Sequence, residues 1–229
     1  MKRTIQSKLL LACIVVSLLS CIVLFTGAGA QTPAIQNAEG IYENAGDAVF
    51  YLRALRSDGT VLAVGSGAVI SADGEAATAY HVVKDAARLE AILADGSALK
   101  GVKLLRYDEL TDAALLKLPA RVDSKGKIKL YSMLLIKEAA LKHGERIFAI
   151  GYPLKNTPII TEGIVNNPQA EINGRDRVLV SAQVASGMSG GPAIDEQGRL
   201  AGIISGSLRT MNNIHLVIAA SDLRQLMKT

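Results

Sequence analysis

Short apolar runs alternate with glycine-containing turns along most of this chain of 229 residues. The runs are rich in Val, Ile, Leu and Ala, and the dipeptides between them supply the positive φ angles that tight hairpins need. The turn dipeptides are Asp58-Gly59, Asp73-Gly74, Asp95-Gly96, Asn173-Gly174 and Gln197-Gly198. Closely spaced strands with turns between them predict an all-β antiparallel barrel or sandwich.

The spacing of the runs predicts individual hairpins and two helical segments. We expect hairpins that pair 61–71 with 76–83, 159–165 with 177–184, and 193–194 with 200–205. One helical turn is predicted at the start of 41–56. A closing helix is predicted over 221–228, with Ser221 as its N-cap and Leu223, Leu226 and Met227 facing inward.

The first 30 residues differ from the rest of the chain. A basic start (Lys2, Arg3 and Lys8) precedes an uncharged apolar run over 9–25, and Ala28-Gly29-Ala30 follows with small residues. This order is typical of a signal peptide. The apolar run through Ala30 also approaches a membrane span of roughly 18 residues or more, so an uncleaved membrane anchor stays open as the alternative. Either reading predicts an exported protein, periplasmic or secreted.

We predict one domain over 41–229, after a polar linker over 31–40 that contains Pro33. Apolar residues make up 49% of the chain, which is typical of a globular protein. Three of the 25 basic residues and none of the 21 acidic ones lie in the N-terminal segment, so the rest carries a net charge of about +1. That balance argues against a nucleic-acid partner. Both cysteines, Cys13 and Cys21, precede the predicted domain, which therefore contains no disulfide.

A serine lies in a glycine-rich segment near the end of the chain, Gly187-Met188-Ser189-Gly190-Gly191-Pro192. The glycines allow a tight turn in which the backbone N–H groups of Gly187 and Ser189 converge on one point, as an oxyanion hole requires. Ser189 is therefore a candidate nucleophile. On its own the segment also fits an ordinary surface turn.

A histidine and an aspartate precede this serine in the order His, Asp, Ser. His81 ends an apolar strand-like run, so packing can hold its ring while one nitrogen stays accessible. Asp112 begins the apolar run 113–118, where a carboxylate can orient an imidazole. An N-cap for a helix starting at Ala113 is the alternative for Asp112. Asp108 and Glu109 are competing carboxylates in a more polar stretch.

Several motifs, taken together and in order, resemble the trypsin-like serine peptidases of the chymotrypsin fold, and most closely the protease domain of the HtrA/DegP group. The resemblance extends from about residue 41 to the end. The residues that carry it are 65–71 with Asp73-Gly74 before His81, 111–117 around Asp112, 149–153, 161–165, 187–192 around Ser189, and 214–223.

The resemblance implies two antiparallel six-stranded β-barrels with a short C-terminal helix and the triad His81, Asp112 and Ser189 in the cleft between the barrels. It implies no metal and no organic cofactor. HtrA proteins usually continue into a peptide-binding PDZ domain, and we expect none in this chain, whose sequence stops at Thr229. In the digestive enzymes of this family, an Asp at the position of Met188 forms an ion pair with the N-terminus that activating cleavage creates. Met188 cannot form this ion pair, so we do not expect activation by that route.

Gln183 stands where trypsin carries the acid that binds Lys or Arg. We therefore place Gln183 and Ser205 in the substrate pocket and expect cleavage after small or medium apolar residues. The segment 187–191 also fits the nucleophile elbow of α/β-hydrolases, but Gly190-Gly191-Pro192 cannot open a good helix.

The sequence thus predicts a serine endopeptidase that hydrolyses exported or misfolded polypeptides. A non-catalytic peptide-binding or holdase protein on the same fold is the alternative. The sequence predicts no oligomeric state. The segment 121–141 matches no landmark of the family and fits an ordinary loop between the barrels or a docking surface, of which we favour the loop.

Overall fold

Two closed six-stranded barrels form the body of the protein. The structure is a computed structural model that describes residues 34–155, 157–208 and 211–229. Residues 35–229 form one compact unit. The predicted signal peptide or anchor, with both cysteines, lies outside the described residues. No helix of the described part is both long and apolar enough to cross a membrane.

The first barrel contains the strands in the order β1-β2-β3-β6-β5-β4, all antiparallel. Its core is built from large side chains that are almost completely buried, such as Phe50, Leu52 and Leu115. The strands are β1 (Val49–Leu55), β2 (Val61–Val69), β3 (Glu75–Ala79), β4 (Arg88–Ile92), β5 (Ala98–Asp108) and β6 (Ala113–Lys117).

A two-stranded hairpin, β7 (Arg121–Val122) with β8 (Ile128–Lys129), begins the segment that leads to the second barrel. The second barrel has the order β10-β11-β14-β13-β12-β9. Its strands are β9 (Arg146–Leu154), β10 (Thr157–Ile172), β11 (Arg175–Val180), β12 (Pro192–Asp195), β13 (Leu200–Ser207) and β14 (His215–Ala219). The predicted all-β class and the two six-stranded barrels are confirmed.

The first and third predicted hairpins pair as expected, although the first ends early. The second is largely wrong: β10 is 16 residues long, its first half pairs with β9, and only Val165 of the predicted range lies opposite β11. Residues 80–83, predicted as strand, form the short helix α2 (Tyr80–Val83). The amide of Lys84 donates to the carbonyl of Tyr80 at 2.9 Å and closes this turn. His81 therefore lies in a helical turn just after β3 and not at the end of a strand.

The other helices also differ from the prediction in their bounds. Helix α1 (Ala38–Ala45) begins inside the predicted linker, because the side chain of Asn37 caps the amide of Gly40 at 3.0 Å. A 3-10 turn, Gly46–Ala48, follows it. The closing helix α3 (Ala220–Lys228) has Ala219 at its N-cap without a side-chain hydrogen bond, so the prediction of Ser221 as N-cap is wrong.

The buried face of α3 is narrower than predicted. Leu223 and Leu226 are buried as expected, but Met227 is 37% exposed. In a helix the position after a buried residue is rotated by about 100°, which turns Met227 away from the barrel. The prediction that Met227 faces inward is therefore wrong.

Candidate active site

The pairing of β3 with β6 brings His81 beside Asp112. Ala79 lies opposite Ala113 in this ladder, so the residues just beyond each strand end meet at the same edge. The amide of Tyr80 donates to the carbonyl of Asp112 at 2.7 Å, and the amide of His81 donates to Oδ1 of Asp112 at 2.9 Å. These two contacts fix the carboxylate against the helical turn that carries the imidazole.

The imidazole of His81 contacts this carboxylate through Nδ1, at 2.9 Å from Oδ2 and 3.1 Å from Oδ1. A carboxylate accepts hydrogen bonds, so Nδ1 carries the proton and Nε2 is left as the basic nitrogen. The side chain of His81 is 48% exposed, whereas that of Asp112 is 13% exposed. A largely buried acid thus holds a half-exposed imidazole in place and orients its basic nitrogen.

Asp112 is ionised in spite of its burial. Burial raises the pKa of this carboxyl, but hydrogen bonds from His81 and Ser205 outweigh that effect and hold the pKa below its usual value. The residue adopts a left-handed backbone conformation with φ 66° directly before β6. The expected position at the head of a strand is observed, and no helix begins at Ala113.

Ser189 lies in a tight loop that is fastened to the first barrel. The amide of Ser66 donates to the carbonyl of Ser189 at 2.8 Å, and the hydroxyl of Ser66 donates to the carbonyl of Gly187 at 2.9 Å. The same hydroxyl accepts the amide of Tyr152 at 2.9 Å. Ser66 is completely buried. Its three hydrogen bonds join β2 of the first barrel to the loop of Ser189 and to Tyr152 on β9 of the second barrel.

Two glycines of this loop have positive φ angles, 94° at Gly187 and 89° at Gly190. A Cβ atom at Gly190 would overlap the hydroxyl of Thr78 and the carbonyl of Ser66. The loop therefore requires glycine there for its conformation and for its close approach to β2 and β3.

The hydroxyl of Ser189 donates to the carbonyl of Ser205 at 3.2 Å. In the described chain no hydrogen bond joins this hydroxyl to the imidazole of His81. The side chain of the same Ser205 donates to Asp112 at 2.6 Å, so Ser205 lies between the candidate nucleophile and the buried carboxylate. Hydrogen bonds between a nucleophile and its base are often absent in unliganded enzymes and form when substrate binds.

The backbone N–H groups of Gly187 and Ser189 donate to no other described residue. The neighbouring amides are occupied, because that of Met188 donates to Ala185 at 3.0 Å and that of Gly190 donates to Ile204 at 2.7 Å. The two predicted donors of the oxyanion hole thus remain available for a ligand.

Met188 packs into the core of the second barrel and is completely buried, and its sulfur accepts the amide of Ala185 at 3.4 Å.

Gln183 is exposed, and its side chain donates to Asn213 at 2.9 Å. Both polar groups of Ser205 contact the candidate triad, since its hydroxyl donates to Asp112 and its carbonyl accepts the hydroxyl of Ser189. Among the described residues no cluster of three or more His, Cys, Asp or Glu side chains could hold a metal ion.

Residues 65–203 match the family model of the trypsin-like peptidase domain. The chain belongs to this family. The stretch includes His81, Asp112 and Ser189, and the match confirms the resemblance that the motifs indicate. Sequence reasoning did not identify Ser66 as the residue that anchors the loop of this trypsin-like domain, although Ser66 lies in the segment 65–71.

Relatives of this trypsin-like domain include serine protease HTRA1 of Xenopus laevis, 33% identical over 172 residues that make up 72% of this chain and 36% of the relative. A probable periplasmic serine endoprotease DegP-like of Brucella suis biovar 1 is 35% identical over 145 residues, 62% of this chain and 27% of the relative. The crystal structure of the serine endoprotease from Yersinia pestis superposes with a TM-score of 0.70 at 25% identity, covering 86% of this chain and 67% of that chain. The chain thus spans about a third of the length of these curated relatives.

Proposed function

We propose that this chain is a serine endopeptidase that hydrolyses peptide bonds of exported or misfolded polypeptides through an acyl-enzyme. The observation that carries the proposal is the pair of His81 and Asp112, in which the carboxylate holds Nδ1 at 2.9 Å and leaves Nε2 without a hydrogen bond to any described residue. A basic nitrogen held in this way is what a serine hydroxyl needs in order to become a nucleophile.

In the proposed reaction the hydroxyl of Ser189 turns from the carbonyl of Ser205 to Nε2 of His81 and attacks the substrate carbonyl. His81 takes the hydroxyl proton and passes it to the leaving amine as the C–N bond breaks. Asp112 stabilises the imidazolium through Nδ1. The N–H groups of Gly187 and Ser189 stabilise the negative oxygen of the tetrahedral intermediate.

A water molecule then attacks the acyl-enzyme. His81 takes a proton from this water and returns it to Ser189, which releases the acid product. These steps need no metal or organic cofactor, because the imidazole transfers every proton.

We further propose that the protein acts after export, in the periplasm or outside the cell. The basic start, the apolar run over 9–25 and the small residues at 28–30 support export, whether or not the segment is cleaved. The Brucella relative is named a probable periplasmic protein. We retain the expectation of small or medium apolar residues before the cleaved bond, with Gln183 at the substrate pocket.

Labelling with a fluorophosphonate probe, combined with casein cleavage, tests the activity. We expect the wild type to be labelled at Ser189 and to cleave casein, and Ser189→Ala to do neither. Asp112→Asn should lower kcat by about 10⁴-fold, because the wrong tautomer of the imidazole is favoured. A folded wild type that binds unfolded casein but is neither labelled nor active would instead be a holdase.

A further inference from the structure

A buried arginine of the second barrel contacts the backbone next to Asp112 in the first. Arg177 lies on β11 and is 7% exposed. Its guanidinium donates from Nη1 to the carbonyl of Thr111 at 2.6 Å. Thr111 directly precedes Asp112, so this hydrogen bond reaches the peptide that joins the two residues.

Arg177 forms no ion pair with a carboxylate of the described residues within 4.0 Å. Burial lowers the pKa of this guanidinium from its usual value, and the more distant charges of Asp112 and Asp222 oppose that effect. Burying a charge is costly unless it is paired and hydrogen-bonded. The hydrogen bond to Thr111 is therefore a contact that the fold maintains against an energetic cost.

The peptide that Arg177 holds is conformationally demanding, because Asp112 has a φ of 66°. A non-glycine residue rarely adopts this conformation and needs its surroundings to hold it there. On its C-terminal side, the carbonyl of Asp112 accepts the amide of Tyr80 at 2.7 Å. On its N-terminal side, the carbonyl of Thr111 accepts the guanidinium of Arg177. The two contacts hold the backbone of the catalytic candidate from both sides.

A second arginine of the same strand reaches the preceding loop. Arg175 donates to the carbonyl of Leu110, and also to that of Glu109 at 3.3 Å. Side chains at alternate positions of a strand point to the same face, so both arginines extend from one face of β11. The contact of Arg177 thus belongs to a larger attachment of the 109–111 loop to the second barrel.

We propose that Arg177 is a positioning residue: its guanidinium holds the Thr111–Asp112 peptide so that the carboxylate of Asp112 stays directed at His81. The catalytic consequence rests on the proposed peptidase function, whereas the effect on the contact between Asp112 and His81 does not. The geometry of the triad then depends on where the second barrel places β11, and a displacement of that strand would reach Asp112 through one side chain.

A cavity of about 370 Å³ lies against Arg177 and makes the proposal testable by chemical rescue. Ser221, Asp222 and Arg224 of α3 also line it. A guanidinium ion is much smaller than this space, so it can enter from solvent and occupy the site that Arg177→Ala vacates.

The test compares Arg177→Ala and Arg177→Lys with the wild type, and uses Arg146→Ala as the matched control. Arg146 is also an arginine of the second barrel, but it is 40% exposed and pairs with Glu162 at 2.7 Å, away from the triad residues. Activity is expressed per serine that a fluorophosphonate probe labels, so that misfolded protein does not count. We expect Arg177→Ala to lower kcat between about 10- and 100-fold with little change in KM, because a misplaced catalytic group slows chemistry more than binding.

Two further readouts separate positioning from a purely structural role. Arg177→Lys, which keeps a donor, and Arg177→Ala with millimolar guanidinium should each recover part of kcat. The proton NMR signal of the imidazole Nδ1–H should move or broaden in Arg177→Ala, because its hydrogen bond to Asp112 is disturbed. An unchanged Nδ1–H signal in Arg177→Ala would overturn the proposal, as would an unchanged kcat per labelled serine or a loss of thermal stability alone.

The NMR signal also separates this inference from the proposed function. If the wild type proved inactive while Arg177→Ala still disturbed the Nδ1–H signal, the peptidase function would fail and the positioning of Asp112 by Arg177 would stand. If the wild type were active and the signal did not change, the positioning role would fail alone.

Discussion

The hydroxyl of Ser205 donates a hydrogen bond to Oδ2 of Asp112 at 2.6 Å, across 93 residues of chain. Oδ2 also faces Nδ1 of His81 at 2.9 Å, so one carboxylate oxygen is shared between the imidazole and a hydroxyl from the second barrel. A hydrogen bond to an ionised carboxylate is stronger than one between neutral groups and stabilises the charged form. Ser205 therefore helps Asp112 to remain an anion in a largely buried position.

Ser205→Ala should raise the pKa of Asp112, because burial then acts against fewer compensating hydrogen bonds. We expect kcat/KM to begin its fall toward acid at a higher pH than in the wild type, and kcat at neutral pH to fall by less than in Asp112→Asn. The pH dependence of kcat/KM on a peptide substrate measures both. Ser132→Ala, at an exposed serine, is the control. Identical profiles for Ser205→Ala and the wild type would contradict this role of Ser205.

Local sequence pattern is enough to propose the residues of the candidate site. Ser189 stands out because glycines surround it. His81 stands out because it ends an apolar run, and Asp112 because it directly precedes one. The contacts that connect these residues could not be predicted in the same way. Ser66 and Gly187 are 121 residues apart, and Arg177 and Thr111 are 66 apart. Only the packing of the two barrels brings such pairs together.

The errors in the secondary structure have a similar origin. Residues 80–83 are apolar enough to continue β3, yet the amide of His81 donates to the side chain of Asp112, and the amide of Lys84 closes a helical turn on the carbonyl of Tyr80. The contact that ends the strand comes from another part of the sequence. The apolar side chain of Met227 favours burial, but the position of this residue on α3 directs the side chain away from the barrel.

The conformation of Gly190 predicts a large effect of a small substitution. Gly190→Ala adds a Cβ atom that overlaps the carbonyl of Ser66 and the hydroxyl of Thr78, and it also imposes the unfavourable positive φ of 89° on alanine. We expect the nucleophile loop to be displaced, with loss of fluorophosphonate labelling and a destabilisation of several kcal/mol, well above the cost of about 1 kcal/mol for the backbone conformation.

Gly174→Ala is the matched control for this prediction. Gly174 has a similar φ of 74°, but nothing lies within 4 Å of a Cβ atom placed there. This variant should therefore lose only about 1 kcal/mol and keep its labelling rate. Equal losses of stability in the two variants, measured by urea unfolding, would show that the close approach at Gly190 is unimportant.

Stability should decrease in acid through Asp195. Burial raises the pKa of this carboxyl, but hydrogen bonds from Arg199 and Lys137 outweigh it, so the pKa in the folded protein is below its usual value. Because the unfolded chain binds the proton more tightly, this contribution is present above the unfolded pKa, near ~3.9, and is lost as the pH falls through the folded pKa. Urea unfolding between pH 7 and pH 2 measures the slope, which should be smaller in Asp195→Asn.

Lys137 provides the other half of this buried pair. It is 6% exposed, and its Nζ lies 3.1 Å from Oδ2 of Asp195 and 3.5 Å from Oε2 of Glu145. Its amide donates to the carbonyl of Leu200 at 2.8 Å, so the segment between the barrels is joined to β13 at this point. Part of the segment that the sequence left without a landmark is thus firmly attached to the second barrel.

Lys137→Ala should lower the free energy of unfolding by about 3 kcal/mol, since it leaves the buried carboxylate of Asp195 with Arg199 as its remaining cationic partner. The double variant Lys137→Met with Asp195→Asn removes both charges, and we expect it to recover part of that loss because the buried carboxylate that lost one of its two cationic partners is no longer charged. Lys129→Ala, at an exposed lysine of the same segment, should change the stability by less than about 0.5 kcal/mol. A loss for Lys137→Ala as small as that of Lys129→Ala would mean that the ion pair does not secure this segment to the second barrel.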